Sequence, residues 1–421
     1  LDSTTAPVTT FGPVSNWIGY QVSMIATGFT AAGITAAQVG ATPYATFLRS
    51  IPWNFYCLLA FFMVGFIAIT QRYYGPMIDA EWRSRKEGKT MRDGAEALSD
   101  ISTDVGEQSV KNPLLINFFL PIFALLIVGV FSMWWIGGGY EPGIGIAKAF
   151  QETDIALSLL YGAFAFVLTA LIGALSCKTM DLDEASDTMV NGFKTMIIAA
   201  VIIILAWTIG HATDQVGTAQ YVVNLLMSFG LPGRTLPIIV FLAAMFISFT
   251  TGTSWGTMAI LTPIAVPTGF ELVGFEIVPV LMGVLFGGGI FGDHVSPISD
   301  TTVMSSIFAG SDHIDHVKSQ IPFALTAAGI TLVTLVIYAF GLSKIVILLP
   351  LAFVLTIITA IAINKWDASR KNLPEVMPTA EEIANGETDR SREKTFNNIT
   401  VISITIFVVY MTAIFIFASL G

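Results

Sequence analysis

The sequence predicts an all-α, polytopic membrane protein. Only 50 of its 421 residues are charged, 12% against about 25% in soluble domains, and 54% are hydrophobic. Mean hydropathy is +0.74. A chain this long cannot build a polar skin from that composition, so a soluble globule, a disordered chain, a coiled coil and a nucleic-acid module are excluded. Seven uncharged runs approach the roughly 20 residues that a helix needs to cross a bilayer. They are 53–70, 113–136, 155–176, 195–210, 320–340, 345–363 and 395–421. Strand-period alternation is absent, which argues against a β-barrel.

The net charge of −10 says little, because 28 of the 50 charges sit in two segments, 71–112 and 364–398. Both read as charged linkers. The acidic cluster Asp181, Asp183, Glu184 and Asp187 reads as a solvated loop, and His211 as an interfacial residue ending a helix. Cys57 and Cys177 adjoin apolar runs and read as free core thiols, too few for a disulfide framework. The chain opens at Leu1 without a basic leader, and the expectation is that earlier helices are missing from it.

Two stretches do not fit simple crossings. Residues 235–270 are uncharged over 36 positions, too long for one straight span at 1.5 Å per residue across a core of about 30 Å. Their middle, Thr250-Thr251-Gly252-Thr253-Ser254-Trp255-Gly256-Thr257, reads as a polar break between two helices. Residues 277–310 begin and end apolar around Gly287-Gly288-Gly289-Ile290-Phe291-Gly292-Asp293-His294-Val295-Ser296-Pro297-Ile298-Ser299-Asp300-Thr301-Thr302. Irregular backbone at membrane depth is tolerated where it lines a cavity, and two interrupted segments point to a transporter's site.

Lys and Arg set the orientation. If 235–270 is a re-entrant hairpin rather than a crossing, 16 of the 20 Lys and Arg fall on one side and four on the other. The charge bias therefore selects the hairpin and makes 71–112 and 364–398 cytoplasmic. Asp2-Ser3-Thr4-Thr5-Ala6-Pro7 echoes Asp300-Thr301-Thr302, and Thr30 to Thr35 recurs as Thr326 to Thr331. Two repeats follow, with residues 1–70 the remainder of the first. Residues 113–363 hold the later helices, including the second repeat with its hairpin at 235–270 and broken helix at 277–310. Residues 399–421 form a last span.

Three motifs, at 292–302, 251–257 and 2–7, together with Ser15-Asn16-Trp17-Ile18-Gly19 and Ser50-Ile51-Pro52, resemble the NhaC family of sodium/proton antiporters. The resemblance implies a secondary transporter of the ion-transporter superfamily, with inverted repeats, re-entrant hairpins and a homodimer. It also implies helices upstream of the Asp2 motif. The family includes exchangers of organic acids such as malate and lactate, so the resemblance leaves the substrate open.

Asp293 and Asp300 are the only acids between Glu276 and Asp312. A carboxylate at membrane depth costs several kcal/mol unless it is paired, protonated or coordinating a cation. One carboxylate that binds Na⁺ or H⁺, never both, gives exchange by competition. Ser299, Thr301 and Thr302 place oxygen ligands beside Asp300, as hard cations prefer. Asp300 could equally cap the second half-helix. His294 is a candidate proton relay or a structural histidine. Gly252, Thr253, Ser254 and Thr257 form a hairpin tip that would face Asp300 and could touch substrate, although Gly252 and Gly256 also make a small-residue packing motif. Asp2, Ser3 and Thr4 are the first-repeat counterparts. Asp312-His313 and Asp315-His316 suggest a metal site only weakly, and no metal beyond Na⁺ is expected.

No phosphate-binding loop, nucleophile–base pair or cofactor motif is present, so the expectation is a transporter and not an enzyme. Na⁺ and H⁺ are the coupling ions, and the partners are a small cation and a small organic anion or amino acid, with no nucleic acid. The second reading is a Na⁺- or H⁺-coupled carrier of small acids or amino acids. A passive channel is a third. The expected location is a bacterial inner membrane.

Overall fold

The computed structural model describes residues 1–11, 16–97, 114–145, 149–150, 153–216 and 232–385. The last expected span, 395–421, and the distal parts of both charged segments lie outside the described residues. Among those described, the chain is helical without strands, and six helices are long and apolar enough to cross a membrane. A seventh is the bent pair Pro43–Trp53 and Phe55–Thr70, kinked by 51°. The protein is a multi-pass membrane protein.

The chain forms two compact units, residues 1–98 with 201–421 and residues 99–200. The first unit opens with α1 (Asp2–Thr9), α2 (Asn16–Ala31), α3 (Ala36–Val39), α4 (Pro43–Ser50), α5 (Phe55–Thr70) and α6 (Pro76–Glu87). The second holds α7 (Leu115–Ile136) and α8 (Ile155–Ser176), and α9 (Leu182–Gln215) begins in it. The chain continues with α10 (Leu236–Thr251), α11 (Ser254–Leu272), α12 (Val278–Val295), α13 (Asp300–Phe308), α14 (His313–Ala339), α15 (Ile345–Lys371) and α16 (Ala380–Ala384).

In the second unit α7 and α8 pack through small residues. A Cβ on Gly162 would come within 3.0 Å of the Leu125 carbonyl and 3.3 Å of Gly129. Small residues let backbones approach where lipid supplies no hydrophobic drive between helices. At the start of α9, Asp181 and Glu184 bond each other's backbone N–H at 2.8 and 3.1 Å. The acidic cluster is exposed, but the expected loop is corrected: Asp183, Glu184 and Asp187 lie within α9, and Asp181 and Glu184 cap its start.

The first unit is built around α12, whose 18 residues are all buried. The sequence reading spread the break of 277–310 over residues 287–302; Gly287 to Val295 are helical, and the break narrows to 296–299, inside that stretch. The glycines serve close packing instead. Cβ atoms there would strike Asn54 at Gly287, Ala244 and the Phe241 carbonyl at Gly288, and Ser248 at Gly292. What ends the helix is Ser296-Pro297, since the residue before a proline avoids the helical region. Ser296 is extended, at φ −75° and ψ 130°.

The 235–270 segment doubles back. Gly288 meets Ala244 and Gly292 meets Ser248, so α10 runs alongside α12 in the same direction. Gly269 meets Ile277 and Leu281, so α11 returns. Gly233, just before α10, lies against Leu272 and Val273 at the end of α11, which brings the two ends of the hairpin together.

The charged segments fold as well. Arg72 is buried and bonds Asn364 and Glu375, both at 3.1 Å, and Lys371 joins the Gly75 carbonyl and Asp79, both at 2.7 Å. Ile78, Ala368 and Met377 form a small core between them. Residues 71–87 and 364–378 thus touch each other and lie on the same face. The hexapeptide repeat is not structural, because Thr30 to Thr35 ends α2 and turns at Gly33 (φ +65°), whereas Thr326 to Thr331 lies within α14. The Asp2 and Asp300 motifs, by contrast, both open short helices, α1 and α13. Cys57 is a buried free thiol, but Cys177 is exposed, because it sits past the last apolar turn of α8.

Candidate functional site

Four chain segments converge near the end of α12. The hairpin tip is shaped by Gly252, which ends α10 in the left-handed region (φ +69°) with its N–H on the Ser248 carbonyl. A Cβ at this position would come within 2.7 Å of the Ile298 carbonyl, so the tip rests directly on the 296–299 break. Trp17 and Tyr20 of α2 hold the other side of the tip. Tyr20 stacks on Trp255 with centroids 4.2 Å apart, and its hydroxyl donates to the Trp255 carbonyl at 2.7 Å.

The second arm, α11, starts with no side-chain cap of its own at Thr253. Asp293 supplies the cap from α12. The Ser254 N–H donates to its Oδ1 at 3.0 Å and the Ser254 hydroxyl to its Oδ2 at 2.5 Å. An anion is favoured there by the free N–H groups and the positive end of the helix. The expectation that the tip faces Asp300 is corrected: Ser254 faces Asp293, which lies at its level on the packed helix.

Asp300 is half-buried and is the first residue of α13, not its cap; Ser299 holds that position. Asp300 accepts the Thr301 N–H at 2.8 Å. The hydroxyls of Thr301 and Thr302 both donate to the Asp293 carbonyl, at 2.8 and 2.7 Å, and Ser299 lies 3.0 Å from Thr301. Thr257 bonds back to the Thr253 carbonyl at 2.8 Å, along its own helix.

The first-repeat residues join from α1. Asp2 is buried, and its Oδ2 accepts from Gln320 at 3.0 Å, while among the described residues Oδ1 has no hydrogen-bond partner. Ser3 lies 2.8 Å from Nε2 of His294, whose Nδ1 lies 2.6 Å from the Tyr56 hydroxyl. Thr4 bonds back to the Leu1 carbonyl. Asp293, Asp300 and Asp2 are close enough to interact electrostatically. Among the described residues no Lys or Arg forms an ion pair with any of the three.

The sequence reading missed Asn54, Tyr56 and Gln320. Asn54 sits at the kink before α5 and bonds Thr10 at 3.0 Å; Pro52 just before it was the available signal. Gln320 also donates to the carbonyl of His294. Its signal was a polar side chain opening an otherwise apolar run. A cavity of about 270 Å³ leads from Ser3, His294 and Gln320 along α5 and α14 to Tyr73 and Met77. The Asp312–His316 cluster does not converge as a metal site. Its two acids turn to Arg92, at 3.9 and 2.7 Å, while both histidines turn to Ser306.

The Na⁺/H⁺ antiporter family matches residues 8–342. The chain belongs to that family. It is a family of transporters, not an enzyme class. An uncharacterized protein of Haemophilus influenzae is 31% identical over 82% of this chain and 63% of its own length. A malate-2H⁺/Na⁺-lactate antiporter of Bacillus subtilis is 30% identical over 45% of this chain and 39% of its own. An uncharacterized Na⁺/H⁺ antiporter of H. influenzae is 26% identical over 54% and 44%. The chain thus spans less than two thirds of the length of these relatives. No solved structure matches it.

Proposed function

We propose that this antiporter-family protein is a secondary transporter exchanging Na⁺ for H⁺ by competition at the carboxylates Asp2, Asp293 and Asp300. One observation carries the reading: three acids lie within electrostatic reach of one another near the end of α12, and no described Lys or Arg pairs with them. Buried like charges without a counter-ion are costly, so the site calls for a cation of its own. A proton meets that need on one carboxylate. Na⁺ meets it with oxygen ligands, and the hydroxyls of Ser254, Thr301 and Thr302 stand around Asp293. On this reading the protein works as a homodimer in a bacterial inner membrane, as the family resemblance implies.

The test is the Na⁺ affinity of liposome-reconstituted protein across pH, with no organic solute present. Competition predicts that the apparent KM for Na⁺ rises about tenfold per pH unit below the pKa of the shared site, with maximal rate changing much less. A pH-independent KM, with no flux until an organic acid is added, would favour the second reading, exchange of small organic acids. The cavity beside Ser3, His294 and Gln320 supports that second reading, being roomy enough for a small solute.

A further inference from the structure

The geometry points to a proton-binding site formed by His313, Ser306 and His316, outside the carboxylate site. Ser306 closes the last turn of α13, and the two histidines lie in the first turns of α14. The Ser306 hydroxyl oxygen lies 2.9 Å from Nδ1 of His313, 2.7 Å from Nδ1 of His316 and 2.8 Å from the Thr302 carbonyl.

Counting protons decides the state. Nε2 of His313 lies 2.7 Å from the Pro297 carbonyl, which can only accept, so that nitrogen carries hydrogen. Nε2 of His316 lies 2.8 Å from the Gln320 side-chain oxygen. The orientation of that amide is fixed, because its NH₂ serves two acceptors, Asp2 and the His294 carbonyl. Nε2 of His316 is therefore also a donor. If both rings are neutral, both Nδ1 atoms are bare. Ser306 then has one hydrogen for three acceptors, and one imidazole faces an oxygen lone pair at hydrogen-bond distance.

A single added proton resolves the two ring contacts once Ser306 turns its hydrogen from the Thr302 carbonyl, which a backbone N–H one turn on can serve, to the second ring. One ring donates through Nδ1 to the Ser306 oxygen, and Ser306 donates to the other ring. Both contacts become hydrogen bonds, and one positive charge is shared across the triad. The C-terminal end of α13 presents carbonyls, which favour a cation. On α14 itself Asp312 and Asp315 lie alongside, engaged with Arg92, and Lys318 is exposed. From the other elements, His294 on α12 lies within electrostatic reach of His316. Both rings are part-exposed, so protons reach them from the face that carries Arg92. Inward, the hydrogen-bonded path runs from His316 through Gln320 to Asp2. The proton is held two hydrogen bonds from that carboxylate, whether or not the protein exchanges sodium.

The experiment is a titration of the chain, labelled with ¹⁵N-histidine and embedded in lipid nanodiscs, with ring signals assigned from single His→Gln variants. The expected result is two steps separated by more than about one pH unit, as coupled sites show, with one Nδ1 proton shared by the pair between them. Ser306→Ala should lower the first step by about one unit, a tenfold loss of proton affinity, and Ser306→Thr should restore it. Two rings that stay neutral from pH 5 to 9, or that titrate independently and ignore Ser306→Ala, overturn the assignment. Should the alanine variant not fold, the wild-type titration decides alone. Sodium flux is not needed for any of these readings, so a failure of the exchange proposal leaves the result interpretable.

Discussion

The helix Phe275–Val295 is 89% buried, and Leu115–Ile136 only 17%. The buried one is the less hydrophobic of the two, with a hydropathy of 1.8 against 2.4. In water that ranking would be reversed. In a bilayer the solvent is itself apolar, so the more hydrophobic of the two can face lipid, and Phe118, Leu126 and Ile127 on α7 are all exposed. The inner helix instead carries glycines that admit neighbouring backbones and an Asp-His pair that reaches polar partners. Hydropathy finds the spans; small and polar residues within them find the functional centre.

The largest expected effect comes from the glycine face. Gly292→Val would push methyl groups into Ser248 and the backbone of α10, and should cost about 3 kcal/mol or more, the upper end for overpacking. Size-exclusion profiles and thermal unfolding in detergent read this directly. A variant as stable as wild type would mean that α10 and α12 do not pack this closely.

A smaller effect separates two acids on either side of the break. Asp293→Asn removes a charged acceptor from two Ser254 donors and should cost roughly 1.5–3 kcal/mol. Asp300→Asn should cost under about 1 kcal/mol, the worth of one acidic charge in the first turn of a helix. Both should abolish sodium-dependent proton flux while the protein still folds. Retained flux with normal Na⁺ affinity in either variant removes that residue from the shared site.

The smallest effect belongs to the lipid-facing region. Leu126→Ala on α7 should change stability by no more than about 0.5 kcal/mol, as for exposed sites generally. A loss of several times that, in nanodisc unfolding experiments, would show that this face is covered by protein.

Much of this was legible in the sequence, because membrane spans are written as uncharged runs and breaks as Gly, Pro and hydroxyl clusters. The doubling back at Gly252 and the interruption before Asp300 both came from such signals. The glycine run 287–292 made the expected break wider than the one that forms, since glycine serves a close helix contact as readily as a turn, and only the neighbours decide which. Asp293 outranks Asp300 in burial for a reason that sequence order conceals: it stands level with the start of α11, 39 residues earlier. Asn54, Tyr56 and Gln320 are polar residues at the ends of apolar runs, where an interfacial role is the default reading. The Arg72–Asn364–Glu375 cluster joins residues some 300 positions apart, which no local pattern encodes.

The start of α11 has a consequence for motion. Its first turn borrows its order from a carboxylate on another helix. If Asp293 takes a cation, as proposed above, that cation would share its two oxygens with Ser254. The tip also rests on Ile298, next to the segment that carries Asp300. The order of the hairpin tip is thus tied to the state of one carboxylate on a neighbouring helix.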